Sequence, residues 1–439
     1  MKKPIKQQAW LVDVNMGYGH QRAAYPLRHI AFKGRIINAN DYKNIPWRDR
    51  VIWRGARKFY ESISAFKRVP LIGSLFFAIF DQFQKILSFY PERDLSKPNF
   101  YLKQLDSLFE GGWGKHLIEK MKKKSMPLVS TFFIPAFMAE FFTYLENIFC
   151  VVCDADIARS WASSDPFFSR IRYFAPTERV VERLMLYGVK KKNIFLTGFP
   201  LPLENIGSED LEVLKHDLTK RLLTLDPKRN YFQSYRSLVE EYVGRLPKKP
   251  SRPLTLMFSV GGAGVRRKIG VTILRSLREK IKTGKIKVIL SIGIKEKNKE
   301  FFLKNIKSLN LKKDLRNKDI EIVFDKKIDK YFEKFNIALR KTDILWTKPS
   351  ELVFYTGLGL PIIIAPPVGS QEYFNQEWLL ELGSGIEQKD PEHADEWLFD
   401  LLEDGWFAEA AMQGFVEAEK RGVFNIQKIM FPQRTDIQK

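Results

Sequence analysis

The sequence predicts an α/β protein built from two parallel-sheet domains. Three observations point there. Short apolar runs alternate with helical segments along the chain, the pattern of parallel sheets with crossover helices. Two of those runs end in glycine-rich turns, Ala9–Val14 before Gly17 and Gly19, and Pro253–Val260 before Gly261, Gly262 and Gly264. The 439 residues suffice for two domains with full cores.

In the first half, strands are expected at Ala9–Val14, Gly34–Asn38, Pro127–Phe132, Asn147–Cys153, Arg172–Ala175 and Asn193–Thr197. Thr177–Gly188 reads as a helix with Glu178, Glu182 and Arg183 on its polar face and Gly188 as its stop. Ser208–Lys249 is polar, charged and helix-prone, a linker with an inserted helical pair. The second half starts at Pro253 and continues with strands at Ile286–Ile292 and Ile320–Phe324. Asp395–Glu419 reads as helical and acidic. These boundaries give domains at 1–205, with a helical insertion over 41–125, and 251–400, joined by 206–250 and followed by 401–439.

The most informative stretch is Asp343–Gly385. The run from Asp343 to Trp346 suits a buried parallel strand. Lys348-Pro349-Ser350 stops it, Ser350 is placed to cap a helix, and Glu351 falls in its first turn, where the dipole favours an acid. Gly357 and Gly359 end that helix, and Pro361–Ala365 begins another buried strand. The polar loop Pro366–Glu372 then lies at the carboxyl end of a strand, where open α/β sheets bind ligands.

Composition narrows the function. With 45% hydrophobic residues and dispersed glycine and proline the chain is globular. Cys150 and Cys153 form a CVVC run ending an apolar strand, which reads as two buried thiols and not as a redox or metal site. The scarcity of cysteine suits a cytoplasmic protein. A bilayer-spanning helix needs ~20 apolar residues; the longest uncharged stretch, Leu352–Gln371, is broken by Gly357, Gly359, Pro361, Pro366 and Pro367, so none is expected. The net charge of +22 attracts phosphate polyanions or anionic lipid surfaces. No nucleic-acid-binding pattern is present and the basic residues are scattered, which argues against a nucleic-acid partner.

Asp41–Arg93 carries ten basic residues against five acids, net +5, interleaved with aromatics that include Trp47, Trp53, Phe59, Phe66, Phe76 and Phe80. That mixture suits an interfacial membrane surface, or equally helices packed on a sheet with a basic outer face.

Two constellations carry chemistry in the first half. Asn15-Met16-Gly17-Tyr18-Gly19-His20 follows the first strand, and His20 would sit at a helix start, which disfavours the imidazolium and keeps a free base. Asp154 ends the Val151-Val152-Cys153 strand, with Trp161 downstream. In the second half, the amides of Gly261, Gly262 and Gly264 and the helix after them are fit to hold a diphosphate. Gln371 and Glu372 offer hydrogen-bonding groups suited to a polyol.

The pattern Thr347-Lys348, Gly359-Leu360-Pro361 and Gln371-Glu372-x-x-Asn375 resembles the donor-nucleotide half of GT-B glycosyltransferases, in particular the monogalactosyldiacylglycerol synthases and the peptidoglycan N-acetylglucosaminyltransferase. The Gly17-Tyr18-Gly19-His20 loop is similar to the acceptor-side Gly-Gly-Gly-His loop of the galactolipid synthases, and Asp154, Trp161 and Tyr173 follow in a similar order. Two positions depart from the family. Phe354 stands where its ribose-binding acid falls, leaving Glu351 as the nearest acid, and Phe132-Phe133 replaces a histidine.

The resemblance implies a GT-B fold, two Rossmann-like domains facing a cleft, and an inverting transfer of sugar from a UDP-sugar to a membrane lipid. His20 would be the base, with Asp154 assisting. Lys348, Ser350, Glu351, Gln371, Glu372, Asn375 and the glycines Gly261, Gly262 and Gly264 would hold the donor. No metal and no cofactor beyond the donor is implied. The protein would lie on the inner face of the membrane, and a C-terminal helix would cross back onto the first domain. A nucleotide-sugar epimerase on the same architecture, or a non-catalytic nucleotide-sugar- or membrane-binding protein, would fit the same pattern.

Overall fold

A computed structural model describes residues 7–66, 85–247, 250, 252–261 and 266–432, the backbone alone from 57 to 66. Gly262 and Gly264, and the stretch 67–84 of the expected membrane face, lie outside the described residues. The chain forms two compact units. The first takes in the chain to Pro200, Val368–Asn375 and the stretch from Arg421 on; the second is Leu201–Pro367 with Gln376–Lys420.

The first unit is built on β1 (Ala9–Asp13), β2 (Ala31–Asn38), β3 (Leu128–Ser130), β4 (Ile148–Val151), β5 (Arg172–Ala175) and β6 (Ile194–Leu196), in the order β2-β1-β3-β4-β5-β6. Every pair is parallel: Leu11 faces Ile36 on one side and Val129 on the other, and Ser130 faces Cys150. Strands buried on both faces need continuous apolar runs, and β4 is buried at all four positions. Chain order and sheet order part company between β1 and β3, since β2 lies on the far side of β1.

The second unit holds β7 (Leu254–Ser259), β8 (Ile286–Gly293), β9 (Ile320–Phe324), β10 (Ile344–Thr347), β11 (Ile362–Ile364) and β12 (Gly385–Glu387), again all parallel. Their order, β12-β11-β10-β7-β8-β9, is that of a doubly wound dinucleotide-binding sheet, with the direction of winding reversing between β7 and β10. The α/β architecture of two parallel six-stranded sheets therefore stands as expected.

Several local expectations change. The segment after Ser350 is a 3-10 helix, Glu351–Leu358, and the Ser350 side chain makes no cap bond. All eight of its residues are buried, so it has no polar face to set an α-helical period. Gly359 ends it at φ +64°, and a Cβ there would meet Leu218 Cδ1 at 2.5 Å.

The polar segment expected as a linker forms the helices Glu212–Leu225 and Asn230–Val243, both part of the second unit. Arg221 is buried and donates to the carbonyls of Thr342 (2.8 Å) and Leu358 (2.6 Å), satisfying acceptors left open where β10 begins and the 3-10 helix ends. Burial lowers its pKa to about 10.

Asp395–Glu419 forms the helices Ala394–Glu403 and Trp406–Glu417, which stay with the second unit. The helix that joins the first unit is the later one, Gly422–Met430. Asn425 donates to the Thr197 carbonyl (3.0 Å), and a Cβ on Gly422 would stand 2.4 Å from the Phe199 carbonyl oxygen.

The helix Trp47–Phe66 opens the expected basic-aromatic surface. Trp47 is 78% exposed and Val51, one turn on, is also exposed beside Arg48 and Arg54. Trp53 belongs instead to the core, 4.9 Å from the Trp113 ring. Among the described residues, no helix is long and apolar enough to cross a membrane.

Candidate functional site

In the first unit, the loops that follow β1, β3 and β4 leave the carboxyl ends of three neighbouring strands, where the winding of the sheet reverses. An open α/β sheet forms a crevice there, because loops from adjacent strands depart in opposite directions. The β1 loop turns at Gly17, at φ +114°, and enters a short helix, Gly19–Ala24, that carries His20. The β3 loop supplies Thr131 and Phe132; the β4 loop supplies Cys153 and Asp154.

His20 is tied to the second of these loops twice. Its Nδ1 lies 2.7 Å from the Thr131 carbonyl, and Thr131 Oγ1 donates to the His20 carbonyl at 2.8 Å. A carbonyl can only accept, so Nδ1 carries the proton and Nε2 keeps its lone pair. Cys153 Sγ points at the same Thr131 carbonyl from 3.4 Å. The rings of Phe132 and Trp161 lie 4.7 and 6.2 Å from the imidazole. That enclosure pushes the His20 pKa down from 6.5 to about 4, opposed by the bond to Thr131. Burial, and not the helix start expected from the sequence, is therefore the main cause. Phe132 is part of that enclosure.

Asp154 is half-buried and held from the side by Asn375. Asn375 Nδ2 donates to Asp154 Oδ1 (3.1 Å), and its Oδ1 accepts from the Ala155 N–H (2.6 Å). Asn375 is itself buried and lies within the helix Ser370–Glu381, not at its cap. Glu372 Oε2 accepts from the Val368 N–H at 2.9 Å, closing the start of that helix. Asp156 is committed elsewhere, in a buried ion pair with Arg183 at 2.7 Å.

In the second unit, the residues after β7 and β10 meet at its own reversal point. Gly261 follows β7 at φ +75°, and a Cβ on it would stand 3.5 Å from Lys348 Cε. The Lys348 stem thus runs over the Gly261 backbone, and a cation and a glycine turn share the position where a doubly wound sheet receives phosphates. Arg266 donates to the Pro366 carbonyl, joining the helix start after β7 to the loop after β11. Arg267 packs its guanidinium over the Phe301 ring at 4.4 Å. Glu351 is 7% exposed, and the Phe354 ring packs on Trp378 at 5.0 Å, so both positions belong to the core.

Sequence reasoning brought His20 and Asp154 to one sheet edge but missed Thr131, whose role rests on a backbone carbonyl that no side chain announces. Both cysteines are buried and form no disulfide, as the CVVC run suggests. Of the remaining histidines, His116 bonds Tyr42 Oη at 3.0 Å and His29 bonds Gln427 at 3.0 Å.

Residues 240–429 match a family model described as a domain of unknown function (DUF6938). No curated protein matches the chain. Among solved structures, the S. aureus MnaA–UDP co-structure is similar at 13% identity and a TM-score of 0.44, over 96% of this chain and 95% of that one. MurG of Acinetobacter baumannii is similar at 10% identity and 0.43, over 85% and 95%. The UDP-GlcNAc 2-epimerase of Neisseria meningitidis bound to UDP-GlcNAc is similar at 12% and 0.43, over 96% and 100%.

Proposed function

We propose that the chain is an inverting glycosyltransferase that moves a sugar from a UDP-sugar to the hydroxyl of a membrane lipid. The observation that carries this reading is the fixed tautomer of His20 at the reversal point of the first sheet. A neutral imidazole with Nε2 unprotonated can act as a general base at any pH above about 4. In the proposed step, Nε2 takes the acceptor's proton as its oxygen attacks the anomeric carbon. The bond from that carbon to the diphosphate oxygen breaks, and UDP leaves with the electron pair. Asp154, held by Asn375, orients the acceptor hydroxyl.

The donor reading rests on Lys348 and Gly261 at the reversal point of a sheet wound in the dinucleotide-binding order. Lys348 and the turn amides would take the diphosphate; Ser350, Glu351, Gln371 and Glu372 remain the proposed contacts to ribose and sugar. Asn375 is proposed to act through Asp154 and not on the donor. Trp47, Val51, Arg48 and Arg54 would rest on an anionic lipid surface, which fits the chain's net charge of +22.

The test is release of UDP from a panel of UDP-sugars, with and without liposomes containing diacylglycerol and anionic lipid. The proposal expects release that requires the liposomes and is lost in His20→Ala while UDP still binds. Release without any lipid, or full activity in His20→Ala, would overturn it.

A further inference from the structure

A groove of about 350 Å³ opens in the first unit, away from His20, between the helices Phe100–Glu110 and Phe133–Phe141 and the loop 163–170. Small-ligand pockets start near ~300 Å³, and at ~30 Å³ per water-sized group this one has room for on the order of ten non-hydrogen atoms. Its walls are the rings of Phe109, Phe137, Phe141 and Phe168. Phe109 and Phe137 are buried, whereas Phe168 is 75% exposed at the rim.

The polar groups in the groove are mostly acceptors. Among the described residues, Asp106, Glu140 and Asp165 line it against one cation, Arg170, whose Nη2 is turned onto the Tyr144 carbonyl at 2.5 Å. Glu140 is engaged by Ser169 Oγ (2.9 Å) and the Arg170 N–H (2.5 Å). Asp106 receives Ser164 Oγ at 2.5 Å, and Asp165 is exposed at the edge. Ser163 lies in the wall of the groove and is 9% exposed, its Oγ buried and with no hydrogen-bond partner among the described residues. Arg159 fixes the backbone behind it, donating to the carbonyls of Ala162 (2.6 Å) and Ser163 (3.0 Å).

In a chain of net charge +22, an aromatic groove edged by three carboxylates is a local reversal of sign. Aromatic faces and carboxylates both attract cations and repel anions. The same loop already does this outside the groove: Lys190 Nζ sits 4.0 Å from the Phe167 ring centre and 5.9 Å from that of Phe168. We infer that the groove binds an organic ammonium compound, its apolar body against the four phenylalanine rings and its charged head toward Asp106 and Asp165. The site is separate from the glycosyl-transfer reading and stands without it.

Titration of the full-length protein with 2-phenylethylammonium, 2-phenylethanol and phenylacetate, followed by calorimetry and ligand-observed NMR, tests this. The three share one aromatic body and differ in head charge. The ammonium should bind saturably and at least tenfold more tightly than the alcohol, with phenylacetate weakest. Phe168→Ser should remove the binding and Asp165→Asn weaken it several-fold, both with unchanged melting temperature because these side chains are exposed. Equal affinity for the ammonium and the alcohol, ammonium binding unchanged in both variants, or no ammonium binding at millimolar concentration would overturn the assignment.

Discussion

The Nδ1 of His20 and the carbonyl of Thr131 stand 2.7 Å apart, so a backbone oxygen on one loop decides which nitrogen of a ring on another loop is basic. Loss of that base is expected to lower kcat/KM by about 10²–10⁴-fold in His20→Gln. UDP affinity, measured by calorimetry, should stay within twofold of the unsubstituted protein.

The same ring sets a pH signature. Because burial holds His20 near pKa 4, kcat/KM for UDP release should be flat from pH 8 down to about 5 and fall only below that. The stability effect has the same origin. Above pH 6.5 the ring is neutral in both folded and unfolded states. Between 6.5 and about 4 the unfolded chain takes up a proton that the folded ring refuses, so stability falls as pH drops through that window. The full loss is on the order of 3 kcal/mol. Urea unfolding at pH 7.5 and 4.5 should therefore show a larger acid destabilisation in the unsubstituted protein than in His20→Gln.

Gly261→Ala tests the donor side. The added methyl would stand at ordinary contact distance from Lys348, so space is not the obstacle; the left-handed φ of +75° is. An L-residue held there costs about 1–2 kcal/mol, enough to shift the turn and weaken UDP about tenfold. Lys348→Met should weaken UDP at least as much, with a shallower salt dependence of binding.

Asn375 separates positioning from donor contact. Asn375→Ala removes the bonds from the Ala155 N–H and to Asp154 Oδ1, at a cost of about 1–3 kcal/mol. If Asn375 acts through Asp154, kcat should fall and the affinity for UDP-sugar stay unchanged. A rise in donor Kd with kcat retained would place Asn375 on the donor instead. Asn375→Asp, which sets two acceptors against each other, should be worse than the alanine.

Arg221→Met should be the most destabilising of these changes while touching no proposed ligand. It strands the carbonyls of Thr342 and Leu358 in the core and removes a cation that helps lower the pKa of buried Asp343, which already stands at about 6. A loss of several kcal/mol corresponds to a fall in Tm of about 5–10 °C, readable by calorimetry with UDP absent.

The strands were legible because both sheets are parallel and buried, which writes them as unbroken apolar runs. Arg172–Ala175 and Ile320–Phe324 fall where the sequence puts them. Gly385–Glu387 was not read, since three residues opening on glycine carry no run. Strand order is invisible to local pattern, yet it makes the β1–β3 and β7–β10 edges special. His20 and Asp154 were readable from residue type and position; Thr131 was not. The helix Glu212–Leu225 looked like a solvated linker because Arg221 and Asp217 are charged. Arg221 is instead a buried hydrogen-bond donor, and Asp217 is paired with Arg340 at 2.7 Å.

The helix Gly422–Met430 belongs to the unit that the chain begins, although the whole of Leu201–Pro367 and Gln376–Lys420 is made before it. During synthesis the second unit is thus complete while the first still lacks the residues that seat on Thr197 and Phe199. The usual order, in which the leading domain matures as it leaves the ribosome, is reversed here. The half that carries His20 is the last to close, and a nascent chain stalled at Lys420 would hold a finished second unit while the first still lacked its closing helix.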